Sequence, residues 1–155
     1  MSADRSPAAV HVPPAPLLAF LDLYGRGEYW ESHEVLEGPW RETGSDFYQG
    51  LILYASAWVH WTRENAHGVD AQLRKTLERL GGYPDAYLGI DVAAIRRHCH
   101  EVRAVVGSET DWPRRTHPLG LRADPFRIRG DEIELETREA PLERGEGGPE
   151  GDRDD

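Results

Sequence analysis

Between Phe47 and Glu64 the chain carries a segment too uniformly apolar to lie at a surface. Leu51, Ile52, Leu53, Tyr54, Ala55, Ala57, Trp58, Val59 and Trp61 cover most of the circumference of one helix. A helix that is apolar on nearly every side must be walled in by others, so this segment predicts an all-α fold with itself at the centre. Gln49, Ser56 and His60 interrupt the apolar cover at spacings of seven and four, which places them on a single stripe continued by Arg63. Polar atoms removed from water need hydrogen-bond partners, so neighbouring helices are expected to supply them.

Four further helices are expected. The first runs from Leu17 to Tyr24, with Leu17, Leu18, Phe20, Leu21 and Leu23, and Gly25 and Gly27 mark its end. The second opens near Glu28. Its end is ambiguous, because Pro39 has no N–H for the carbonyl of Val35 and disfavours helical geometry at Gly38, so the sequence does not place Trp40 on the face of His33. Gly44 reads as a stop, and Ser45 or Asp46 as the cap of the central helix. The fourth helix, about Gly68 to Leu80, turns Leu73, Leu77 and Leu80 inward and Arg74, Lys75, Glu78 and Arg79 outward, and Gly81-Gly82 closes it. Asn65 is expected as a left-handed helix stop and Gly68 as a point of close helix approach. The fifth helix is capped by Asp91 and buries Val92, Ile95, Cys99, Val102 and Val106.

Charge limits the function classes. The net charge of −10 is concentrated in residues 131–155, which hold eleven acidic residues against Arg138, Arg144 and Arg153. The rest of the chain has 15 basic and 17 acidic groups, a balance that gives nucleic-acid phosphates no general attraction, so no nucleic-acid partner is expected. Cys99 is the only cysteine, which rules out an intramolecular disulfide and a cysteine zinc cluster and suits a reducing cytoplasm. Met1 to Pro16 is rich in Ala and Pro without a signal-peptide core, and no stretch approaches the ~20 apolar residues of a membrane span. A soluble, cytoplasmic protein without membrane association is expected.

The residues with the most chemistry are His33-Glu34-Val35-Leu36-Glu37. His33 and Glu37 lie one helical turn apart on one face, and Glu34 is rotated about 100° from them. A catalytic metal needs roughly three protein ligands and an open position, and His60, from the polar stripe of the central helix, is the best third candidate. With Glu37 in place of a second histidine the donor set is oxygen-rich and suits Mn²⁺ or Fe²⁺ as well as Zn²⁺. Glu34 would then be the base that deprotonates metal-bound water. The competing reading packs His33 between helices and leaves Glu34 and Glu37 solvated or paired with Arg41. His98-Cys99-His100 is set aside, because alternate helical residues point about 200° apart and the two histidines cannot share an ion.

Gly27-Glu28-Tyr29-Trp30-Glu31-Ser32-His33-Glu34-Val35-Leu36-Glu37, then Trp40, then Tyr48-Gln49-Gly50-Leu51-Ile52, then Asn65, Gly68 and Gly89-Ile90-Asp91 occur in one order. Their succession resembles the bacterial and archaeal family called domain of unknown function 309, over roughly residues 17–106. The resemblance implies a small all-helical bundle, and the family carries no established activity. This chain departs from the family pattern at Gly38-Pro39 and at Glu64, where glycine generally precedes the asparagine.

Together these features predict an all-α protein with a single five-helix bundle over residues 17–106. A flexible arm, 1–16, precedes it. An irregular extension, 107–140, follows, with a short β-hairpin around Phe126 to Glu136, and then a disordered acidic tail, 141–155. The leading functional expectation is a metal-dependent hydrolase acting on a small molecule: His33, Glu37 and His60 hold a divalent Zn, Mn or Fe ion, Glu34 activates water, and Gln49, Asn65 and Trp40 line the pocket. The alternative is a non-enzymatic helical module that binds a small ligand or a protein partner through Tyr29, Trp30 and Trp40. A third reading makes the polar stripe a hydrogen-bonded core network that fixes helix register.

Overall fold

In the computed structural model, which describes residues 13–108 and 117–121, the order of elements is α1 (Ala15–Gly25), α2 (Tyr29–Thr43), α3 (Asp46–Thr62), α4 (Ala66–Leu80), β1 (Ala86–Tyr87), β2 (Ile90–Asp91) and α5 (Val92–Ser108). The apolar segment is α3, and every residue from Phe47 to Trp58 is buried. Ser45 sets its start, its hydroxyl accepting the Tyr48 amide at 3.1 Å. Helices α2 and α4 pack along α3, α1 packs on α2, and α5 packs on α4. The core joins Leu17 and Phe20 of α1, Leu36 of α2, Tyr54 and Trp58 of α3, Leu73 and Leu80 of α4, and Ile95 and Cys99 of α5. The all-α expectation therefore holds. Among the described residues no helix is long and apolar enough to cross a membrane. The expected hairpin around Phe126 to Glu136 and the acidic tail lie outside the described residues.

The polar stripe finds the partner its burial demands. Gln72 of α4 donates to the Ser56 hydroxyl at 2.9 Å, and Thr76 donates to the Gln72 carbonyl at 2.8 Å. The contact fixes α4 against α3 in register.

Three local features differ from the sequence reading. First, α2 runs through Pro39 to Thr43 and stops at Gly44, which takes the left-handed conformation at φ 70°. An interior proline costs about 3 kcal/mol. Continuing the helix past Pro39 buries Trp40, and a large apolar side chain taken from water contributes roughly 1.5–3 kcal/mol, which offsets most of the proline's cost. Trp40, two turns beyond His33, consequently does continue its face. Second, the left-handed residue before α4 is Glu64, at φ 54°, while Asn65 is the helix cap and accepts the Gly68 amide at 3.0 Å. Glu64 stands where the family resemblance expects glycine, the residue that adopts this backbone without strain.

Third, β1 and β2 form an antiparallel pair, Ala86 opposite Asp91 and Tyr87 opposite Ile90. The turn uses Leu88 and Gly89, both at positive φ. Leucine is a poor turn residue, but its side chain is buried, and that burial is what the strained backbone gains. Arg96 ties this loop to α5 by donating to the carbonyls of Leu80 and Tyr83, each at 3.1 Å, and to Asp85 at 2.8 Å. Asp91 then accepts the Ala94 amide at 3.0 Å and starts α5, as its position predicts.

Gly68 is a true close approach. A Cβ there would lie 2.6 Å from His60 Cγ and 2.7 Å from Asn65 Nδ2. Gly68→Ala is expected to destabilise the protein by about 1–3 kcal/mol despite alanine's better helix propensity, because His60 and the Asn65 cap must both move. Thermal unfolding of the variant, read beside the His60 ring resonances, checks this.

Candidate functional site

Helix α2 places Ser32, His33, Leu36 and Trp40 on its buried face, and leaves Trp30 and Glu34 exposed. His33 is only 4% exposed. Its Nε2 lies 3.5 Å from Glu37 Oε2, one turn on, and Glu37 Oε1 lies 3.8 Å from Arg41 Nη2. In the neutral ring a carboxylate beside Nε2 favours the tautomer with its proton there, in which Nδ1 is an acceptor. That Nδ1 is buried and has no hydrogen-bond partner in the protein. Over the ring lies Trp30, stacked at 5.0 Å between centroids with 23° between planes, and itself 46% exposed. The arrangement is a half-satisfied imidazole under an indole that faces solvent.

The other sequence-predicted residues fall in different places. Glu34 points to solvent. Trp40 is only 3% exposed and is core rather than surface, with its Nε1 buried and lacking a hydrogen-bond partner. Gln49 is buried on α3. Tyr29 is half-buried and meets Tyr24 edge-on at 5.2 Å. His60 and Asn65 meet each other: Asn65 Nδ2 donates to His60 Nδ1 at 3.1 Å, at the joint between α3 and α4. Among the described residues no group of three or more His, Cys, Asp or Glu side chains could hold a metal ion. His33 and Glu37 thus come together as a pair, and His60 is engaged elsewhere.

A second constellation was not singled out by sequence. Tyr54 of α3 and His98 of α5 hydrogen-bond through Oη and Nδ1 at 2.7 Å. Tyr24 stacks on Tyr54 at 6.1 Å, and Trp58 meets Tyr54 at 5.3 Å and His98 at 5.5 Å. Tyr24 Oη faces Tyr54 and Trp58 without reaching hydrogen-bond geometry, and Trp58 Nε1 is likewise buried and without a hydrogen-bond partner. Burial, reinforced at Tyr24 by the Tyr54 and Tyr29 phenols and at Tyr54 by the Cys99 thiol and the Tyr29 phenol, pushes the Tyr24 and Tyr54 hydroxyls well above the ordinary phenol range. Burial also lowers the His98 imidazole, against the opposing pull of Glu101. The cluster is therefore neutral near pH 7. Its one sequence signal was His98 lying beside Cys99 in the apolar stripe of α5, which puts an imidazole at the edge of the core.

Comparison with curated proteins gives no match. The family model described as Domain of unknown function (DUF309) matches residues 17–71, from α1 into the first turns of α4. That stretch contains the whole of α2 with its His33–Glu37 pair, and over residues 17–71 the chain is similar to the domain of unknown function 309 family.

Proposed function

We propose that the protein is a helical module that binds a small polar ligand at the Trp30–His33–Glu37 face of α2. The observation that carries this reading is the His33 Nδ1, buried and without a hydrogen-bond partner beneath an exposed indole. An unmet buried acceptor costs about 1–3 kcal/mol, and a ligand N–H or O–H donated to it would recover that cost. Trp30 supplies an apolar plate for the body of the ligand, and Glu37 holds the imidazole in the tautomer that accepts.

A second reading, the metal-dependent hydrolase, draws support from the 3.5 Å His33–Glu37 pair, which offers two donors of the right type. It requires a third ligand from outside the pair, because among the described residues no group of three His, Cys, Asp or Glu side chains gathers there. Glu34, exposed, would act as base only toward a solvent-facing ion.

Thermal unfolding against a panel of small polar metabolites, and separately against Zn²⁺, Mn²⁺ and Fe²⁺, separates the two. A ligand present at a hundred times its Kd stabilises by about 2.7 kcal/mol, a shift of several degrees for a domain of this size. The expected result is a shift with an organic ligand that His33→Ala abolishes and Glu37→Gln weakens. A shift with a metal alone, lost in the same variants, favours the hydrolase. No shift with any probe defeats both.

A further inference from the structure

Measured from Trp30, the residues His33, Glu34 and Glu37 lie three, four and seven positions on, so all four side chains occupy one strip of α2 about two turns long. Trp30, Glu34 and Glu37 reach solvent along that strip, and His33 forms its buried edge. We infer, resting on the proposal that this strip is the ligand face, that its ligand is an organic cation with N–H donors, an alkylammonium or guanidinium. The indole of Trp30, the Nδ1 of His33 and the carboxylates of Glu34 and Glu37 are the groups that receive it.

The polar atoms beside the indole accept hydrogen bonds. His33 Nδ1 is buried and has no hydrogen-bond partner in the protein. The two nitrogens of an imidazole flank one ring carbon, and Nε2 lies 3.5 Å from Glu37 Oε2. The ring edge that carries the unmet acceptor is therefore the edge turned toward a carboxylate, and ionised carboxylates only accept. A ligand that satisfies this strip must bring several hydrogens in one compact group. An ammonium carries three and a guanidinium five. A ligand carboxylate or phosphate brings no such set and would set like charges against each other.

The charges of the helix select a cation. Helix α2 carries Glu31, Glu34, Glu37 and Glu42 against Arg41. Arg41 stands 3.8 Å from one oxygen of Glu37 and leaves the other turned to His33. Among the described residues the ion pairs of α2 join Glu37 to His33 and to Arg41, and exposed Glu34 takes no part in them. Arg26, just before the helix, is already held by Asp22 at 3.1 Å. The strip thus keeps a surplus of negative charge, with the Glu34 carboxylate uncommitted. Because Cα–Cβ bonds tilt toward a helix N-terminus, the Glu34 side chain sets out toward the turn that bears Trp30. Trp30 adds its own attraction, since indole is the aromatic ring that draws cations most strongly to its face. The His33 ring covers one side of the indole, and the exposed part of the indole faces water. Held from one side, the indole can swing aside to admit an ammonium to Nδ1 and then cover the alkyl chain that follows it.

Four probes built on one butyl chain separate charge from hydrogen bonding: n-butylammonium, n-butyltrimethylammonium, butyramide and butyrate. Each is titrated into the full ¹⁵N-labelled chain at pH 8 and low salt, where alkylamines are protonated, and the Trp30 indole and His33 ring resonances are followed. The expected result is that n-butylammonium moves both resonances and binds about tenfold more tightly than butyramide, the neutral donor. The trimethylated cation, which has no N–H, is expected to bind more weakly than n-butylammonium, and butyrate not at all. Glu34→Gln and Trp30→Leu alter exposed side chains and so keep the fold. Glu34→Gln is expected to weaken n-butylammonium about two- to fivefold and to leave butyramide unchanged, as 1 M salt should also do. Trp30→Leu, which keeps an apolar side chain without the ring, is expected to weaken the ammonium more than the amide. Butyramide or butyrate binding as tightly as n-butylammonium, read at the same two resonances, would leave the α2 site standing and overturn the cation. Equal binding of the trimethylated cation overturns the N–H requirement and the inference with it. No response at Trp30 or His33 to any probe overturns the inference and the ligand face together.

Discussion

Trp58→Ala is expected to cost about 3–5 kcal/mol, the range for removing a fully buried large aromatic side chain. Trp58 has no exposed surface, and its ring meets Tyr54 at 5.3 Å, His98 at 5.5 Å and Trp61 at 6.4 Å. Its loss therefore opens a void where α3 meets α5 and strips three aromatic neighbours of a partner. Since a domain of this size holds only about 5–15 kcal/mol in total, the variant should be largely unfolded under mild denaturant. Urea unfolding gives the midpoint, and the protein carries its own second probe. Cys99 is the only cysteine, wholly buried, with its thiol pushed up to about 12, so it should react with a disulfide reagent only as the bundle opens. Trp30→Ala serves as the comparison, because half of that ring already lies in solvent, and a cost below about 1 kcal/mol is expected. A midpoint for Trp58→Ala as close to native as that of Trp30→Ala would mean that α3 is not the centre of the fold.

Pro39→Ala should move stability the other way, by about 1–3 kcal/mol. Pro39 lies inside α2. Alanine restores an N–H for the Val35 carbonyl and removes the ring's clash with that turn, a change worth about 3 kcal/mol in a helix interior. Part of it is returned, because a proline-free unfolded chain has roughly 0.4–1 kcal/mol more entropy to lose. A raised melting temperature with an unchanged denaturant slope is the expected result. A lowered one would show that the proline shapes the approach of Trp40 to α3 and is not merely tolerated.

That proline also marks the boundary of what local patterns could say. Where a helix follows its own periodicity the reading was sound: Val92, Ile95, Cys99, Val102 and Val106 are all buried, and Ser45 and Asp91 cap their helices. Where tertiary burial overrides a local rule it was not. Helix α2 passes through Pro39 because Trp40 gains a core, and Leu88 occupies a strained turn because its side chain is buried. The same division holds for function. One-turn spacing was enough to pair His33 with Glu37, since both sit on one helix. Spacing carried nothing about which helix another residue meets. Hence sequence spacing does not show that His60 Nδ1 meets Asn65, five residues away, or that His98 bonds Tyr54, 44 residues away.

The bond between Ser56 and Gln72 crosses the edge of the stretch that the family model matches. Residues 17–71 bear the family pattern, yet Ser56 and Tyr54 find their partners in Gln72 and His98, just past its edge and well beyond it. A polypeptide cut at residue 71 would present the bare flank of α3 to water and should aggregate rather than fold. The stretch that matches the family model is thus not a folding unit by itself. In this chain the wall that α3 presents is roofed by residues the family model does not reach, so the part that looks most familiar depends for its shape on the part that does not.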